Sequence, residues 1–125
     1  VSPKTGIAIF AHGSAIESAN QAVRKVASQF AAAGPFDVVE ACFLELGQPD
    51  LAGAMSRLIE RGARRIIVVP YFLTVGTHLQ RDLPRIVGEI SGIYENVEII
   101  VAPPLDGHPA LLTILLDRVR ETIER

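Results

Sequence analysis

The chain has 125 residues, enough for one domain with a real core and too few for two ordinary ones. Hydrophobic residues make up 49% and charged residues 21%, the balance of a folded soluble protein rather than a disordered one. A net charge of −2 and an aromatic content of 6% without tryptophan argue against a basic nucleic-acid surface or base-stacking platform.

The first strand-like run is Gly6 to Ala11, apolar throughout and followed by His12-Gly13-Ser14. A helical stripe follows at Ala19, Val23, Val26 and Phe30, ended by Gly34-Pro35. The second strand is expected over Asp37 to Leu44, reaching Glu45, and holds the only cysteine, Cys42, as a buried inert thiol. Leu51, Met55, Leu58 and Ile59 form the second helical stripe, stopped by Gly62. Arg65 to Tyr71 is the β-branched third strand. A third stripe, Leu79, Leu83, Ile86, Val87 and Ile90, contains Pro84, which places the helix start around Gln80 to Leu83 and leaves Thr74 to His78 as loop. Val97 to Ala102 is the fourth strand, and Pro109 suits the first turn of a last helix carrying Leu112, Leu115, Val119 and Ile123.

Four strand–helix repeats require right-handed crossovers and a parallel sheet. The expected fold is therefore α/β, in the common flavodoxin-like arrangement: a three-layer sandwich whose four-stranded sheet runs 2-1-3-4 with helices on both faces. The apolar runs imply strands covered on each side. The whole of 1–125 reads as one such domain. The longest apolar runs fall well short of a membrane span. No basic n-region with an apolar h-region opens the chain, so export is not expected; with a single cysteine, a reducing cytoplasm is the expected setting.

In this strand order a crevice opens at the carboxyl ends of strands 1 and 3, where such sheets bind ligands. Its loops carry His12 and His78. Two imidazoles from adjacent loops suit Fe, Co, Ni or Zn, and Glu45 at the end of strand 2 adds an oxygen ligand or a proton acceptor. Glu45 is otherwise a solvated loop carboxylate. His108, ahead of the last helix, reads as a hydrogen-bonding residue at that helix start rather than a ligand. The chain lacks an Arg-His-Gly signature, a Gly-x-Ser-x-Gly elbow, a Walker loop and a Gly-x-Gly-x-x-Gly run. Metal chemistry is the sharpest reading left.

Taken together, His12-Gly13-Ser14, Phe43-Leu44-Glu45-Leu46 with Pro49, Val69 to Leu73 through Gly76 and His78, Asp82 with Pro84, and Pro104-Leu105 with His108-Pro109 resemble the sirohydrochlorin cobaltochelatase and ferrochelatase family. The likeness is to its small single-domain, class II form, which resembles one half of a two-domain chelatase and is generally a homodimer. It implies insertion of Co, Fe or Ni as substrate metal into sirohydrochlorin, with metal held by His12 and His78 and Glu45 beside them. No nucleotide or redox cofactor is implied. Many members carry an arginine after His-Gly-Ser, where this chain has Ala15 and Ile16.

The ring would need an apolar cleft, for which Phe72, Leu73, Val75, Gly76 and Leu83 are the candidates. Ser14, Thr77 and Arg81 are the candidates for its carboxylates. A carrier of metal or tetrapyrrole with the same histidines, without turnover, is the alternative function. The last helix is apolar off its main stripe at Leu111, Ile114 and Leu115, which predicts a partner surface and fits a homodimer.

Overall fold

The computed structural model describes residues 3–36, 38–74 and 76–124, and of His78 only the backbone. Eight elements alternate: β1 (Thr5–Ala11), α1 (Glu17–Ala33), β2 (Val39–Phe43), α2 (Leu51–Glu60), β3 (Arg65–Pro70), α3 (Thr77–Ile93), β4 (Glu98–Val101) and α4 (Ala110–Ile123). All strand pairs are parallel, as the alternation predicts, and the sheet order is β2-β1-β3-β4, as expected of the flavodoxin-like arrangement. Asp37, expected to open the second strand, lies outside the described residues.

Alternate strand residues feed two cores. Ala8, Phe10, Ile66 and Val68 meet Met55 and Leu58 of α2 and Leu83 and Ile90 of α3 on one face. Ile7 and Ile9 meet Ala27 of α1 and Ala41 on the other. The continuous apolar pattern of β1 follows from this, because both of its faces are covered and it is buried from Gly6 to Ala11. Cys42 is fully buried, with its Sγ 3.6 Å from the Ile9 carbonyl oxygen, and burial pushes its thiol up well beyond the usual range.

Two expectations are corrected. α3 begins at Thr77, not around Gln80 to Leu83, so Thr77 and His78 belong to its first turn rather than to a loop. The Gln80 N–H closes that turn on the Gly76 carbonyl at 2.9 Å, and Pro84 sits inside the helix. Proline removes the bond to the Gln80 carbonyl, at a cost of about 3 kcal/mol. Gln80 is exposed, so water can reach its carbonyl. Burial of Leu79, Leu83 and Ile90, at roughly 1.5–3 kcal/mol each, outweighs the loss.

The second correction concerns coverage. β4 is not covered on both faces: Ile100 and Val101 are 43% and 40% exposed, and no residue of α4 is buried. Pro109 precedes α4 as its cap, and His108 Nδ1 accepts the Ala110 N–H at 3.0 Å, the role expected of it. Among the described residues no helix is long and apolar enough to cross a membrane.

The burial of Cys42 generates a direct test. In native protein at pH 8, alkylation of Cys42 should run at least about a thousandfold slower than in the unfolded chain, because reaching it requires global opening. Mass spectrometry of timed iodoacetamide quenches measures this; rapid native labelling would contradict the packing described here.

Candidate metal centre

His12 is the first residue after β1, and its position follows from how the parallel ladder continues beyond the strands. Leu44 N–H bonds to the Ala11 carbonyl at 2.9 Å, and Glu45 N–H to the His12 carbonyl at 3.1 Å. The two chains therefore run side by side past the sheet edge. This brings Glu45 Oε1 to 3.6 Å from His12 Nε2, with the two side chains 59% and 62% exposed. An exposed pair of this kind contributes no more than about 1 kcal/mol to stability, so folding does not account for it.

Gly13 makes the approach possible. Its φ of +95° lies in the left-handed region, and a Cβ there would collide with the Glu45 carbonyl oxygen. Any other residue would push the His12 and Glu45 loops apart.

Asn20, in the first turns of α1, ties the same two loops together from below and is 1% exposed. Its Oδ1 accepts the Ser14 N–H at 2.9 Å, while its Nδ2 donates to the Ser14 and Leu46 carbonyls, both at 2.9 Å. Leu46 sits at a φ of +57°, a strained conformation for a leucine, directly after Glu45. The amide of Asn20 is what holds it there. Arg24 adds a second brace by pairing with Glu17, donating to the Gln48 carbonyl at 2.9 Å and lying over the Phe43 ring. The Arg24 hydrogen bond, assisted by Asn20, holds the Glu17 carboxyl below its ordinary range.

Phe72, after β3, forms the opposite wall. Its ring meets His12 edge-on at 6.1 Å and Phe10 edge-on at 5.9 Å. Between these walls lies a cavity of about 370 Å³, bordered by His12, Leu44, Phe72, Gly76, Thr77 and Asp82. It occupies the crevice between the ends of β1 and β3, where the strand order reverses.

Not every expected residue gathers there. Leu73 is 67% exposed and, like the exposed Arg81, does not border the cavity. Leu83 is buried in the core beneath. Ser14 Oγ accepts the Ile16 N–H at 3.0 Å in a local turn. Val75 and the side chain of His78 lie outside the described residues; His78 follows Thr77 in the first turn of α3. Among the described residues no three of His, Cys, Asp and Glu converge as a metal-ligand cluster.

Asn20 was not among the residues singled out from the sequence. A polar residue early in an amphipathic helix reads as solvated, and only its long-range bond to Leu46 gives it away. Asp82 borders the cavity and lies one helical turn after His78, a spacing legible in the sequence.

The CbiX family model matches residues 6–122. The chain belongs to the CbiX family. The sirohydrochlorin cobaltochelatase of Saccharolobus islandicus is 35% identical over 126 residues, covering 96% of this chain and 97% of that protein. The chloroplastic sirohydrochlorin ferrochelatase of Arabidopsis thaliana is 28% identical, covering 94% of this chain and 52% of that protein. The crystal structure of the CbiX protein of Marinobacter aquaeolei VT8 superposes with a TM-score of 0.84 at 28% identity, over 97% of this chain and 98% of that one. The His12–Glu45 pair thus sits at the sheet end of a CbiX-family domain aligned over nearly its whole length.

Replacement of Asn20 by Ala strands the Ser14 N–H and the Ser14 and Leu46 carbonyls. The expected loss is about 2–3 kcal/mol in urea unfolding, well above that of an ordinary surface substitution. Gly13→Ala should cost about 1–3 kcal/mol through the left-handed conformation and the collision with Glu45.

Proposed function

We propose that this CbiX-family chain inserts a divalent metal, cobalt foremost, into sirohydrochlorin, with His12 and His78 holding the ion and Glu45 receiving protons. That the chain is a metal chelatase is supported by its end-to-end match to curated cobaltochelatases and its match to a ferrochelatase. The observation that carries the site assignment is the 3.6 Å approach of Glu45 to His12 at the mouth of the β1–β3 crevice.

The chemistry sets what such a site must do. A free tetrapyrrole binds a divalent ion by giving up two pyrrole protons, and the ion must exchange its water ligands for four ring nitrogens. Neutral imidazole is a moderate ligand for cobalt, iron and nickel alike. A closed, fully coordinated cage would hold the ion too firmly to release it. His12 is more than half exposed, so an ion bound there keeps open positions toward solvent and the ring.

Glu45, beside it, is placed to take a proton as the nitrogens approach the metal. The protons leave to solvent, the ring carries the metal away, and no electron is transferred. Phe72 supplies an apolar wall against one edge of the macrocycle. Leu44 and Thr77 border the same cavity, and Gly76 leaves room beside them because no side chain projects there. Ser14 and Arg81 lie outside this wall and serve, at most, the ring's outer carboxylates.

The choice among cobalt, iron and nickel is set by an absorbance assay of sirohydrochlorin with each ion against the uncatalysed rate. Cobalt is expected to give the largest acceleration. His12→Ala and His78→Ala should each lower kcat/KM at least about a hundredfold, and Glu45→Gln should lower kcat by about ten- to a hundredfold with metal affinity less affected. Normal turnover in either histidine variant would remove the ligand assignment. Tight binding of both substrates without insertion would remove the chelatase reading.

A further inference from the structure

One carboxylate at the cavity has been given no task. Asp82 borders it from the α3 side, and among the described residues no other aspartate or glutamate does so. Glu45 approaches the same space through His12. The place of Asp82 follows from the helix. Leu79 and Leu83, 9% and 5% exposed, turn one stripe of α3 into the core, and Asp82 falls on the flank of that stripe. It is therefore half-buried at the rim rather than held out in solvent.

A carboxylate that loses part of its hydration normally gains a partner in return. Glu40, only 20% exposed, holds two arginines, Arg57 and Arg61. Asp82 holds none: among the described residues no hydrogen bond or ion pair reaches its side chain. The other carboxylates without a partner, Glu60, Glu95, Glu98, Asp106 and Glu124, are all exposed. Nor does a described lysine or arginine border the cavity to offset the charge. Folding thus leaves one half-buried negative charge facing the space beside His12.

The chemistry of insertion has a matching vacancy. Two pyrrole N–H bonds break, the two nitrogens use the freed electron pairs to bind the ion, and each proton needs an acceptor. The N–H groups sit on different pyrroles, so acceptors on two sides of the cavity serve them without turning the ring. Charge also balances with two carboxylates. Before transfer a divalent ion faces two negative groups; afterwards two neutral carboxyl groups face a neutral metal–ring core. Neither stage leaves an uncompensated charge in a partly dry cavity. Toward the ring's own carboxylates Asp82 would be repulsive. As a further metal ligand it would close the coordination that release requires to be open.

We propose that Asp82 is a second proton acceptor in metal insertion, receiving one pyrrole proton from the α3 side while Glu45 receives the other beside His12. This rests on the chelatase reading of the same site. One N–H bond breaks and one O–H bond forms on Asp82, while the nitrogen keeps the electron pair and donates it to the ion. Solvent then takes the proton and restores the carboxylate.

The test compares initial rates of cobalt insertion into sirohydrochlorin for wild type, Asp82→Asn and Asp82→Ala. Cobalt binding to the ring-free protein is measured alongside by calorimetry. Asp82→Asn keeps the shape and loses the accepting oxygen. It should lower kcat about ten- to a hundredfold, with both KM values and cobalt affinity within about threefold of wild type. Asp82→Ala should be as slow, and sodium formate at matched ionic strength should raise its rate at least about fivefold without accelerating wild type. A small carboxylate can occupy the space of the missing side chain, and a merely structural role gives no such recovery.

Circular dichroism checks the fold of each variant; if Asp82→Ala is unfolded, Asp82→Ser with formate gives the same comparison. Normal kcat in Asp82→Asn overturns the proposal and leaves the chelatase reading standing. So does a loss of cobalt affinity that accounts for the lost rate, which would make Asp82 a ligand, or a slow variant that formate does not restore. A wild type inert with cobalt, iron and nickel overturns the chelatase reading, and the proposal with it.

Discussion

β1 lies between β2 and β3, is buried from Gly6 to Ala11, and stops where the strand order reverses. Because both neighbours are parallel to it, their chains emerge from the same sheet edge and continue alongside it for one or two residues. The hydrogen bond from Glu45 N–H to the His12 carbonyl is the last rung of that ladder. It converts strand register into a fixed separation between an imidazole and a carboxylate that are more than thirty residues apart in the chain. The rest of the site is arranged around this rung. Gly13 permits it, Asn20 locks both loops beneath it, and Phe72 closes the far wall.

Much of this was legible in the sequence because it follows from period and chirality. Uninterrupted apolar runs marked strands covered on two faces, right-handed crossovers made the sheet parallel, and the common flavodoxin-like arrangement supplied the 2-1-3-4 order. With that order, His12 and Glu45 had to emerge at neighbouring strand ends. The parts that were not legible depend on tertiary terms. Pro84 argued for a late start to α3, yet three buried side chains outweigh one missing backbone bond whose carbonyl faces water. Asn20 resembled a solvated helix residue because its partners, Ser14 and Leu46, lie on two loops that only the fold brings together. Ile100 and Val101 read as core, and the exposure of β4 became visible only once α4 was seen to lie off the sheet.

The strain in the site has a common direction. Gly13 and Leu46 both adopt left-handed backbone, and they flank His12 and Glu45, whose side chains approach each other. Such conformations persist only when surrounding contacts over-determine them. Here the buried amide of Asn20 satisfies three backbone groups at once, and Arg24 braces the loop beyond. Stability is therefore concentrated beneath the His12–Glu45 pair and absent above it, where both side chains stay more than half exposed.

That asymmetry is what a transfer site requires. On the proposed reading, a rigid base keeps the reorganisation cost of binding small, while an open upper side would let a large planar ring approach and leave. The apolar area left uncovered in β4 and α4 does not belong to this rigid base.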